Sequence, residues 1–97
     1  MFSQKITEKA VNELLEKNEL TDEQRLKTKE AFEAAGVLEE KLTSLTEGMP
    51  EDSTAKKEAR SCLEDLYALL TITVAEWINQ SGGDMTPAMS VLQTIRQ

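Results

Sequence analysis

The sequence predicts an all-α protein: an antiparallel long helical hairpin with two shorter flanking helices, a three- to four-helix bundle-like arrangement. Apolar residues recur at helical spacing in four segments, and Asn, Gly and Pro stand between those segments. Helix-capping residues precede the runs. The one strand-like stretch, Leu69-Leu70-Thr71-Ile72-Thr73-Val74, has no second β-rich run to pair with, so helix is the consistent reading there.

The first helix is expected from Gln4 to Lys17, capped by Ser3 and stopped at Asn18. Its stripe is Ile6, Ala10, Val11, Leu14 and Leu15, and Glu13 stands four residues before Lys17. The second opens on Thr21-Asp22-Glu23-Gln24, a capping box in which Thr21 and Gln24 satisfy each other's amides. Glu23 and Lys27 add an ion pair at favourable spacing. Gly36 allows a Schellman stop, with Val37 folding back on Phe32. Yet no capping residue follows it, and the stripe Ala31 or Phe32, Ala35, Leu38, Leu42, Leu45 stays in phase across it. One long helix from Asp22 to Glu47 is favoured, ended by Gly48 and Pro50.

The third helix is expected to start near Asp52 or Ser53 and to end before Gly82-Gly83. Its stripe is Ala55, Ala59, Cys62, Leu63, Leu66, Leu69, Leu70, Thr73 and Trp77. Between Leu66 and Ile78 it is apolar almost all round, which calls for neighbours on several sides. The fourth is short, with Thr86 as N-cap, Pro87 at the first helical position, and Val91, Leu92 and Ile95 at helical spacing. The second and third helices would each be about 40 Å long at 1.5 Å per residue. A short link at Gly48–Asp52 makes them antiparallel neighbours.

The 97 residues fit a single helical domain spanning 1–97. Apolar residues make up 39% and charged residues 30%, a globular balance, and with so few aromatics the core must be aliphatic. The net charge is −7, and both halves of the chain carry more acids than bases. That balance opposes binding to nucleic acid or to an anionic membrane, so neither partner is expected. The charge can serve solubility alone, or attract a basic partner, or mimic a nucleic acid. The charge-free run Leu66–Ala75 is about half a bilayer crossing. Met1-Phe2-Ser3-Gln4-Lys5 lacks a signal-peptide apolar region. The lone cysteine, Cys62, cannot form an internal disulfide, and its place on the apolar stripe predicts a small buried hydrophobe. A cytoplasmic setting is the expectation.

Chemistry is scarce. There is no histidine, which removes the commonest general base and transition-metal ligand. Cys62 has no histidine to activate it and cannot by itself hold zinc. Gly82-Gly83 follows a helix and reads as turn punctuation rather than a phosphate cradle. The acidic pairs Glu39-Glu40 and Glu64-Asp65 point apart on their helices. No catalytic, cofactor-binding or metal-ligating residue is assigned, and no cofactor is expected. Leu20-Thr21-Asp22-Glu23-Gln24, continuing to Lys29-Glu30-Ala31-Phe32, resembles the first helix of calmodulin-type proteins. The calcium loop such a helix introduces is replaced here by Glu33-Ala34-Ala35-Gly36-Val37-Leu38. The resemblance is one of a shared capping box and brings no calcium site with it.

Lys56, Lys57 and Arg60 place cations where the helix dipole disfavours them. Pairing is therefore expected, across to the second helix near Glu47 and locally between Arg60 and Glu64. Trp77, Met85, Met89 and Leu92 form the most suggestive apolar group, because tryptophan and methionine suit adaptable contact surfaces. They either pin the fourth helix to the hairpin or meet another protein. The functional expectation is a non-enzymatic protein-binding module of the chaperone, adaptor, inhibitor or anti-activator kind. In size and style it resembles small helical bacterial secretion chaperones and phage or bacterial regulators. A self-assembling structural subunit, or an acidic mimic of nucleic acid, is the alternative. A homodimer is left open.

Overall fold

The computed structural model describes residues 4–96, and side chains from Thr7 onward. The expected cap at Ser3 and the side chain of Ile6 lie outside them. Four helices follow in order: α1 (Gln4–Lys17), α2 (Asp22–Leu45), α3 (Thr54–Gln80) and α4 (Thr86–Ile95). Among the described residues there is no strand. The fold is all-α and bundle-like, and its extents are 46 × 24 × 17 Å.

Local chemistry sets the boundaries. The capping box is formed: Thr21 Oγ1 accepts from the Gln24 amide at 3.1 Å, and Gln24 Oε1 accepts from the Thr21 amide at 3.0 Å. Glu23 and Lys27 pair at 3.1 Å. Ser53 caps α3, its hydroxyl accepting from the Lys56 amide at 3.2 Å. α2 runs unbroken through Gly36 and ends at Leu45, just short of the expected Glu47. α3 closes in a Schellman arrangement. Gly82 takes a positive φ of 86°, its amide donates to Asn79 O, and the Gly83 amide donates to Ile78 O at 2.9 Å. Thr86 is the first helical residue of α4 rather than its cap, with Pro87 following it. Its amide donates to Asp84 Oδ1 at 2.9 Å, so the Asp84 carboxylate does the capping from two residues upstream.

The strand-like composition of α3 is absorbed by its threonines. Thr71 is fully buried, and its hydroxyl donates to Tyr67 O at 2.9 Å. Thr73 donates to Leu69 O at 2.8 Å, and in α2 Thr28 donates to Gln24 O at 2.8 Å. Each hydroxyl finds its acceptor one turn back, so a polar group enters the helix packing already satisfied.

α3 is the central element. It packs against α1, α2 and α4; α1 also meets α2 and α4, while α2 and α4 do not touch. The core joins Val11, Leu14 and Leu15 of α1, Phe32 and Ala35 of α2, six residues of α3 from Leu63 to Ile78, and Ala88 and Ile95 of α4. Phe32 and Tyr67 stack with centroids 5.8 Å apart and planes at 29°, fixing the register of the α2–α3 hairpin. Phe32 precedes the inter-helix turn by nearly as many residues as Tyr67 follows it, which makes the pair antiparallel. The α1–α2 corner is held by Asn18. Its amide group donates to Leu14 O at 2.8 Å, and Arg25 donates to the Asn18 carbonyl at 3.2 Å.

Two expectations are corrected. Cys62 is exposed, and so is Leu69, at 59%. The buried seam of α3 is Leu63, Tyr67, Thr71, Val74 and Ile78 with Ala68 and Ala75 beside it, rotated from the stripe read in the sequence. The reason is that α3 is apolar over most of its circumference near its middle, so hydrophobicity alone does not say which side faces inward.

Two outcomes follow from this packing. A Cβ added to Gly83 would lie 2.7 Å from Asn18 Oδ1 and 2.9 Å from Ile78 Cγ2, both anchored atoms. Gly83→Ala should therefore cost about 1–3 kcal/mol in urea denaturation. Burial pushes the Tyr67 phenol well above its ordinary range, and the carboxylates of Glu39 and Glu8 add to this. Because the folded value exceeds the unfolded one, this contribution is complete below about pH 10 and fades as the pH rises beyond it. Tyr67 is the sole tyrosine. Phenolate absorbance on alkaline titration should thus rise together with loss of helical circular dichroism, not before it.

Candidate functional site

The short helices do not cover the long ones. At 1.5 Å per residue α2 and α3 measure about 36 and 40 Å, whereas α1 and α4 measure about 21 and 15 Å. Between Ala35 and Leu63 no hydrophobic side chain is buried, so the turn-proximal half of the hairpin projects as a two-helix arm.

Leu26 and Val37 of α2 are exposed on their own, but most other apolar residues of the hairpin left out of the core share one side. On α3, Ala55, Ala59, Cys62, Leu66, Leu69 and Thr73 follow one another at alternating steps of four and three. That is the spacing of a helix-packing seam. On α2, Leu38, Leu42 and Leu45 have the same spacing. Viewed from one end, antiparallel helices rotate in opposite senses, so both seams emerge on the same flank of the hairpin, away from α1 and α4. Leu45 is 73% exposed, Leu69 59% and Leu38 37%, while Leu42, Leu66 and Leu70 are half-buried along the hairpin. No charged residue interrupts either seam.

The arm also carries a groove of mixed character. It is open, about 1230 Å³ in volume, and lined by Glu39, Glu47, Lys56 and Arg60 together with Leu42 and Ala59. Two of the three cations are paired, and by the turn: Glu51 receives Lys56 Nζ at 3.1 Å and Arg60 Nη2 at 3.2 Å. The expected Arg60–Glu64 pair gives way to this bridge, which reaches both cations from one carboxylate at the start of α3. The hydrogen bond from Lys56 and its charge, with help from Arg60, hold the Glu51 carboxyl below the ordinary glutamate range. Among the described residues no cluster of His, Cys, Asp and Glu could hold a metal ion.

Of the four residues singled out in the sequence, Trp77, Met85 and Leu92 are half-buried against the core, and Met89 is 38% exposed. Met85, Met89 and Leu92 share one edge of α4. Leu38, Leu45, Leu69 and Cys62 belong to the stripes legible in the sequence, of which Cys62 alone is expected there to be buried; all four are exposed. The signal that separates them from the core is their strict four–three alternation, against the four–four–three–four steps of the buried seam. Among the described residues no helix is long and apolar enough to cross a membrane. No family model, no curated protein and no solved structure matches this chain.

The Glu51 bridge has a measurable signature. Its folded-state value lies below the unfolded one, so the bridge is intact at neutral pH and is lost as the pH falls below about 4. Carboxyl-carbon NMR titration should place Glu51 below an ordinary exposed glutamate. Replacing both Lys56 and Arg60 with Gln should return it to that range.

Proposed function

We propose that the protein is a non-enzymatic, cytoplasmic protein-binding module that receives a partner's apolar surface on the open flank of its α2–α3 hairpin. The observation that carries this reading is the uncovered, charge-free double seam, with Leu45 and Leu69 as its most exposed large side chains. A contiguous apolar strip of this length is uncommon on a soluble monomer unless something covers it. Two antiparallel helices side by side offer a shallow trough suited to another helix or helical pair. The groove at Glu39, Lys56 and Arg60 also reaches Leu42, Ala59 and Leu63, but charged side chains stand among them. Met89, with Trp77 and the α4 edge beside it, would extend the contact toward the base of the bundle.

Affinity capture from native lysate tests the reading. Burying a leucine contributes about 1.5–3 kcal/mol, so Leu45→Glu and Leu69→Glu should each weaken recovery of the captured protein at least about tenfold. Both side chains are exposed, so the variants should keep native circular dichroism. Trp77→Ala and Met89→Ala, run beside them, report whether the α4 edge takes part. Capture unaffected by the two leucine variants would show that the open flank is not the contact surface.

A further inference from the structure

We propose that the open flank is an isologous interface between two copies of this chain, joined with their hairpin tips side by side so that α2 of each lies across α3 of the other. This rests on the reading of that flank as the binding surface and names its occupant.

The distribution of side-chain volume is the first argument. Toward the tip, α2 carries Leu38, Leu42 and Leu45, while the neighbouring stretch of α3 carries Ala55, Ala59 and Cys62. Toward the base the sizes are exchanged: α3 carries Leu66, Leu69 and Leu70, and α2 carries Ala31 and Ala34. Ridges and hollows therefore alternate diagonally across the face. A two-fold rotation about the long axis of the hairpin sets each leucine ridge over an alanine hollow of the second copy. Interdigitation of large against small is what close packing between helical layers requires.

Area is the second argument. Two helices about 36 Å long, each about 10 Å wide, present about 700 Å² per copy, close to the roughly 800 Å² of a standard stable interface. A single helix laid on the trough would cover less.

Charge selects between the two possible two-fold arrangements. Lys41 lies nine residues beyond Phe32, and Glu58 lies nine residues before Tyr67. The stacked pair thus puts them at the same height on the hairpin. Helical spacing puts each on the outer edge of its own seam, Lys41 on α2 and Glu58 on α3. Among the described residues, the ion pairs within the chain use neither. With tips together, Lys41 of each copy meets Glu58 of the other, twice by symmetry. With tips opposed, α3 lies over α3 and the acidic edge of Glu58 and Asp65 faces its own copy.

Sedimentation equilibrium of the full chain at physiological salt tests this. The expected result is a reversible monomer–dimer equilibrium that does not continue to higher species, since an isologous contact closes on itself. Leu69→Glu places a charge in the seam and should weaken dimerisation at least about 100-fold. Glu58→Lys and Lys41→Glu should each weaken it by roughly fivefold to tenfold, and the double exchange should restore it to within about twofold. Cys62 sits mid-seam, so its labelling by a thiol reagent should slow as protein concentration rises through the dimer range. A monomer at every concentration, or a dimer indifferent to Leu69→Glu, overturns the proposal. Failure of the double exchange to restore affinity overturns the tips-together arrangement. A monomer that still loses lysate capture on Leu69→Glu shows that the flank binds another protein and that the second copy is the wrong occupant.

Discussion

A mismatch in length governs this molecule. α3 is the one helix that touches the other three, and it is about twice as long as α1 and more than twice as long as α4. Two short helices can sheathe only the base of a hairpin whose arms run the whole length of the protein. Where they lie, Phe32, Tyr67, Val74 and Ile78 are sealed; where they end, the same two helices continue with little but each other for support. The sealed base, the projecting arm and the uncovered flank all follow from that single inequality. The arm persists because α2 and α3 enter it already wound, propagated from the stacked rings below and closed at the tip by the Ser53 cap and the Glu51 bridge.

The placement of charge along the arm is as informative as the exposure itself. Glu39, Glu47, Lys56 and Arg60 gather in a groove beside Leu42, Ala59 and Leu63, while Lys41, Glu58 and Asp65 flank the leucine seam. The high negative charge is compatible with apolar contact here because it stands at the edges of the seam rather than in it.

Much of the fold was legible because its determinants are local. The Thr21–Gln24 capping box, the stop at Asn18, the glycine pair after α3 and the continuity of α2 through Gly36 each rest on residues within a turn or two of one another. What was not legible depends on the third dimension. Two apolar stripes run along α3, turned from each other by about 120°, and composition cannot rank them. Only the position of α1 and α4 decides that Tyr67 and Thr71 go in while Cys62 and Leu69 stay out. The partner of Arg60 was missed for a similar reason, since Glu51 reaches it by the path of the turn rather than by helical spacing. At the candidate site the sequence singles out Trp77, Met85, Met89 and Leu92, whereas the most exposed leucines, Leu45 and Leu69, are legible only as members of helical stripes. The hand of an antiparallel pair is what brings the leucines of α2 and α3 to one flank.

The close approach of Gly83 to Asn18 and Ile78 bears on how the chain assembles. It joins positions about 65 residues apart, and closing so long a loop in an unstructured chain costs about 4 kcal/mol before any contact repays it. Once the hairpin has zipped from its turn, the two positions are brought near by a rigid intermediary and the same closure costs far less. Topology therefore favours closing the hairpin before α1 docks at the α3–α4 corner, because that contact spans the longer loop.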